Sequence, residues 1–141
     1  MIDSLKEIVR SVDPALLYQR DNDLSAGEQI LRSAAAIEQT FGGLSANLWD
    51  DPFEWTLPET LSTPVSIVEY LSEVDSTRQR VFNSIDDDGA LSKYVAVPPG
   101  ESKILLELLI ETLVRASDYR GRAVSHEEAQ KKSHKRQKGK P

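Results

Sequence analysis

The sequence predicts an all-α protein: an antiparallel four-helix bundle with a short first helix and a flexible basic C-terminal tail. Three observations carry this reading. Apolar residues recur at helical spacing in four separate segments. Helix-start signals stand at the head of the second and third of them. No segment alternates with period two over strand length. A chain of 141 residues fits one compact domain. We assign residues 1–130 to the bundle and 131–141 to the tail.

The first helix is read from Ile2, Leu5, Ile8, Val9 and Val12. Asp13-Pro14 ends it and opens a short turn over Ala15–Tyr18. Ser25-Ala26-Gly27-Glu28 is a capping box, in which serine and glutamate each satisfy the other's backbone amide. The second helix then presents Ile30, Leu31, Ala34, Ala35, Ile37 and Phe41, and its alanines suggest close helix approach. Gly42-Gly43 weakens its end or marks a bend.

Residues 49–62 read as an ordered surface loop, with Phe53, Trp55 and Leu57 tucked onto the bundle between Pro52 and Pro58. Ser62-Thr63-Pro64 starts the third helix with a hydroxyl cap and a first-turn proline. Val65, Val68, Leu71, Val74, Val81 and Ile85 form its expected apolar face, and Asp86-Asp87-Asp88-Gly89 stops it. Those acids read as a solvated turn, because no bidentate glutamate follows at the spacing of a calcium loop. After a connector over 90–100, the fourth helix spans 103–124, with Ile104, Leu105, Leu108, Leu109, Leu113 and Ala116 as its buried stripe. Ser125-His126-Glu127-Glu128 can cap a short further helix.

Composition narrows the function classes. There is no cysteine, which removes disulfides, thiolate nucleophiles and cysteine-based metal sites. No apolar run approaches the roughly 18 residues needed to span a bilayer, and residues 1–14 lack a signal-peptide pattern, so a cytoplasmic protein is expected. The net charge of −6 is unevenly spread. Lys131, Lys132, Lys135, Arg136, Lys138 and Lys140 stand in a tail without acids. The remaining 11 cations face 23 acids, so the body carries −12. Such a body repels phosphates, and nucleic acid could be reached only through the tail.

The stretch Glu111–Arg122 reads Glu-Thr-Leu-Val-Arg-Ala-Ser-Asp-Tyr-Arg-Gly-Arg. It resembles the last-helix signature of the DinB-like four-helix-bundle family (the DinB/thiol-transferase superfamily), roughly H-x-x-x-H-R-G-Q. The likeness extends over residues 5–124. Leu24–Glu38 resembles the family's second helix, Trp49, Phe53, Thr56 and Pro64–Phe82 its middle loop and third helix, and Pro98-Pro99-Gly100 its final loop. In the family three histidines hold a divalent metal. The resemblance places Ser33, Arg115 and Tyr119 at those positions, and Arg122 at the glutamine after Arg-Gly. Arginine is a permanent cation without a lone pair, and neutral tyrosine is a poor ligand. The resemblance therefore implies the scaffold, while the residues imply no metal and no cofactor.

Ser33, Arg115 and Tyr119 remain ligand-pocket candidates, with two readings open. In the first the site is filled core: Ser33 packs as a small residue, Tyr119 fills space, and Arg115 pairs with Glu111, Glu73 or Asp118. In the second the pocket holds an anionic or aromatic ligand, with Arg115 as carboxylate clamp and Tyr119 as donor. Other motifs are weaker. The cluster Asp50, Asp51 and Glu54 is more simply surface charge, and no G-x-S-x-G elbow, P-loop or G-x-G-x-x-G is present. His126 and His134 lie beyond the expected last core helix.

These residues point to a DinB-like bundle without the family metal, more a non-catalytic protein than an enzyme. Alternatives are a metal-independent, thiol-dependent transferase, or a module binding a small anion or nucleic acid. The resemblance also implies a possible homodimer. The sequence assigns no catalytic residue.

Overall fold

A computed structural model describes residues 1–54 and 58–139. Among the described residues there are four α-helices: α1 (Ile2–Ser11), α2 (Ala26–Ala46), α3 (Pro64–Asn83) and α4 (Leu105–Lys138). Two short strands, β1 (Tyr94–Val97) and β2 (Glu101–Ile104), form an antiparallel hairpin before α4. Trp55, Thr56 and Leu57, assigned above to the middle loop, lie outside the described residues, as do Lys140 and Pro141.

Local chemistry starts α2 and α3. Ser25 Oγ accepts the Glu28 amide, and the Glu28 carboxylate accepts the Ser25 amide at 2.9 Å. This capping box is reinforced from outside, because Arg20 Nε donates to both Glu28 oxygens at 3.1 and 3.2 Å. That hydrogen bond, with the bonds from Ser25, holds the Glu28 carboxyl below its ordinary pKa against the opposing effect of desolvation. Thr63 caps α3 in the same way, exchanging bonds with Ser66 ahead of Pro64. Asn47, in the left-handed conformation, terminates α2.

Helix order follows from the cross-links. Ser33 meets Ala116 and Thr40 meets Thr112, so α2 and α4 run antiparallel. Ser4 reaches Arg120 and Ser11 reaches Glu127, so α1 runs parallel to α4. Tyr18, seated against Gly27 at the start of α2, donates to the Leu61 carbonyl just before α3. Further along, Phe41 of α2 meets Phe82 of α3. The long connection after α2 thus returns the chain to the start of α2, and α2 and α3 are parallel. The expectation of antiparallel neighbours holds for α2 and α4 and fails for this pair. The widest helix contact is α2 with α4, followed by α2 with α3 and α1 with α3.

The core is centred on α2, where Ile30, Leu31, Ala34 and Ala35 are buried together with Leu5 and Val9 of α1 and Ile67 and Leu71 of α3. Periodicity marked α1 and α2 correctly and misplaced part of the other faces. On α3, Val65 is exposed while Ile67 and Tyr70 are buried. On α4, Leu113 is exposed, and the buried line is Leu105, Leu108, Thr112, Ala116, Ala123 and Glu127.

Two further expectations are corrected. The connector expected over 90–100 forms β1, whose register pairs Tyr94 with Ile104 and Val97 with Glu101. Gly100, at φ +112°, supplies the turn conformation that other residues rarely adopt. The segment expected to be a short separate helix and a flexible tail continues α4 without a break to Lys138. Gln, Lys and Arg are sound helix formers, and no glycine intervenes between Arg122 and Gly139. Glu127, itself buried, accepts from Ser11 at 2.7 Å and pairs with Lys131. No helix among the described residues is long and apolar enough to cross a membrane.

Candidate functional site

Ser33 lies midway along α2 and is completely buried. Its hydroxyl donates to the Ala116 carbonyl of α4 at 2.7 Å. One heptad on, the Thr40 and Thr112 hydroxyls meet at 2.6 Å, and Thr112 also donates to the Leu108 carbonyl at 2.8 Å. Alanines and hydroxyl residues permit this approach, since bulky side chains would hold the helices apart. A short polar seam therefore closes the contact between α2 and α4. Thr40 was not singled out in the sequence. Its signal was present, because Ser33 and Thr40 are seven apart and share a helix face.

Arg115 and Tyr119 share a face of α4, as their spacing requires, but not the buried line. Arg115 is exposed and Tyr119 half-buried. The carboxylates nearest to Arg115 in sequence are engaged elsewhere: Glu111 accepts from Lys103 Nζ at 2.7 Å, and Asp118 pairs with Arg122 at 3.0 Å. Arg115 forms no ion pair among the described residues. The Arg122 guanidinium stands 5.5 Å from the Tyr119 ring. Ser33 thus sits inside a helix contact while Arg115 faces outward.

Arg115 borders a depression of about 560 Å³ between α2, α4 and the hairpin, with Gln39, Trp49, Pro98 and Lys103 also on its wall. Trp49 is held there by local structure. Its carbonyl accepts from Gln39 Nε2 at 2.9 Å, and its indole Nε1 donates to Asn47 Oδ1 at 2.9 Å. The indole lies over Gly43, where a side chain would collide with it. The hydrogen bond with Glu111 keeps Lys103 above its ordinary pKa. The depression has on its wall an arginine without an ion pair among the described residues and a tryptophan, chemistry suited to a carboxylate or an aromatic anion. Gln39 was missed because a single glutamine on a helix carries no pattern.

Ser33, Arg115 and Tyr119 do not form a donor set that fits a divalent metal. Ser33 already donates to a carbonyl, Arg115 repels cations, and Tyr119 would have to lose its proton. Among the described residues, no three His, Asp or Glu side chains are gathered as a metal ion would require. His126 and His134 line a separate polar depression with Gln19 and Arg20, at the far end of α4. The acids at 86–88 act locally, with Asp87 Oδ1 accepting the Ala90 amide at 3.0 Å. Comparisons with protein families, curated proteins and solved structures return no match for this chain.

Proposed function

We propose that this chain is a DinB-like helical bundle in which the metal position has become part of the helix packing, and that it works as a non-catalytic binding module in the cytoplasm. The observation that carries this reading is the buried Ser33 hydroxyl bonded to the Ala116 carbonyl. It occupies with a helix contact the place where the family needs an open coordination site. Self-association belongs to the same reading.

A second reading, binding of a small organic anion, is favoured by Arg115 and Trp49 sharing the wall of the depression against the hairpin. A metal-independent thiol transferase ranks lower. It needs a base to generate the thiolate, and both histidines stand at the other end of α4. Nucleic-acid binding would rest on exposed cations beyond Gln130, attached to a body of charge −12.

Thermal denaturation in the presence of carboxylates, aromatic acids, low-molecular-weight thiols and divalent metals tests these readings by mass action. Carboxylates or aromatic acids should raise the melting temperature of the wild type and not of Arg115→Ala. A saturable rise with a divalent metal would overturn the metal-free reading, and turnover of a thiol would overturn the non-catalytic one.

A further inference from the structure

α1 fills only part of the slot between α3 and α4. Ser4 reaches Arg120 and Ser11 reaches Glu127, so α1 lies alongside the middle of α4. Beyond the first residues of α1, α3 and α4 make little direct contact, and a trough of about 480 Å³ stands between them. Its floor is buried and apolar, made by Ile37 and Phe41 of α2 and Ala116 of α4. Phe82 of α3 and Leu113 of α4 form its walls, 41% and 57% exposed. Met1 and Ile2 border the end where α1 begins. Size separates the possible occupants. From Leu109 to Ala116, α4 borders the trough over about 10 Å, or two helical turns. A helix that short has little stability of its own, and α1 blocks its extension at one end. The volume instead falls within the range of about 300–1,000 Å³ found for small-molecule sites, which are mostly apolar with a few polar groups.

We propose that this trough binds a small aromatic amine, with its ring over Ile37 and Phe41 and its ammonium toward Asp3. Two observations select that chemistry. The trough is aromatic on one side, where the Phe41 and Phe82 rings stand 5.3 Å apart, tilted by 44°. Tilted ring packing of this kind extends readily to a further ring. The free charge on the rim is negative. Asp75 is engaged by Arg78 at 2.8 Å and by Gln79 at 2.9 Å, so that acid and that base answer each other. Asp3 is exposed and forms no ion pair among the described residues. The acidic body, at −12, draws cations toward it. The depression beside Arg115 has the opposite preference, and Ile110 stands between the two. The inference names a ligand for the binding-module reading and rests on it. If amines fail while aromatic acids still bind through Arg115, the inference falls and that reading stands.

The test is titration of the full chain with tryptamine, followed by two-dimensional amide NMR. Indole-3-propionate, which keeps the ring and spacer but carries a carboxylate, is titrated in parallel. Tryptamine should shift the amides of Phe41, Phe82 and Leu113 saturably, and indole-3-propionate should not. Asp3→Asn should weaken tryptamine about two- to fivefold, the range of an exposed ion pair. Leu113→Lys, which sets a cation on an exposed wall, should weaken it by about tenfold or more. Arg115→Ala should leave it unchanged. Both Asp3 and Leu113 are exposed, so the variants keep the core, and an unchanged circular dichroism spectrum checks this. Absence of a saturable shift, shifts confined to residues beside Trp49, or equal binding of indole-3-propionate at the trough would each overturn the proposal. So would trough amides that move on dilution without ligand, since a second copy would then be the occupant.

Discussion

The Ser33 hydroxyl donates to the Ala116 carbonyl across the α2–α4 contact, joining residues 83 positions apart at 2.7 Å. The bond is fully buried. Removing the hydroxyl with Ser33→Ala should cost about 1 kcal/mol, the net value of a single buried hydrogen bond. Ser33→His should cost more, about 1–3 kcal/mol, because an imidazole overfills a closed contact. Urea denaturation measures both. A histidine variant as stable as wild type would show that the space is open.

Three glycines separate close packing from helix propensity. On propensity alone, alanine in a helix is better than glycine by about 1 kcal/mol. At Gly27 a Cβ would stand 2.5 Å from the Tyr18 ring and 2.9 Å from the Leu17 carbonyl oxygen, and at Gly43 it would strike the Trp49 indole. Overpacking of about 1–3 kcal/mol outweighs the propensity gain there, so Gly27→Ala and Gly43→Ala should destabilise. Gly43→Ala should also shift the fluorescence of Trp49, measured in a Trp55→Phe background. Gly121 has nothing within 4 Å, so Gly121→Ala should stabilise by about 0.5–1 kcal/mol. Thermal melts of the three variants check the signs.

Glu28 makes stability depend on acid pH. Its folded carboxyl is held below the ordinary value, first by the Arg20 hydrogen bond. A depressed carboxyl stabilises the fold above the unfolded pKa of about 4.3, and that contribution fades as pH falls through the lower folded value. The melting-temperature gap between wild type and Glu28→Gln should therefore be full near neutrality and shrink below about pH 4.3. Arg20→Ala should narrow it at neutral pH. A gap that widens in acid would contradict this account.

The end of α4 contributes helix without core. Every described residue from Lys131 onward is exposed, and Lys131 alone reaches inward, to the buried Glu127 carboxylate. Deleting everything after Lys131 should change stability by no more than about 0.5 kcal/mol while lowering the helical ellipticity. A large drop in melting temperature would show that the segment docks on the body.

Features written in local chemistry were legible in the sequence. Ser25 with Glu28, and Thr63 with Pro64, announce helix starts because the partner groups lie within one turn. The apolar lines of α1 and α2 were legible because these helices are covered on the sides their periodicity marks. Leu113 and Val65 show the limit: spacing defines an apolar face but not whether another element covers it. The hairpin escaped because four-residue strands are too short for alternation to register, and its register depends on pairing Tyr94 with Ile104. At the candidate site, Ser33 in an alanine-rich helix reads as a close contact. The isolation of Arg115 does not, since it depends on Lys103 reaching Glu111 from the strand before α4.

The most direct test of the proposed metal-free reading is calorimetric titration of Zn²⁺ and Ni²⁺ into chelator-treated protein of native sequence. The filled contact at Ser33 and the outward cation at Arg115 predict no saturable heat and no retained metal after dialysis. One equivalent bound per chain, weakened by substitution of Ser33 or Tyr119, would contradict the account.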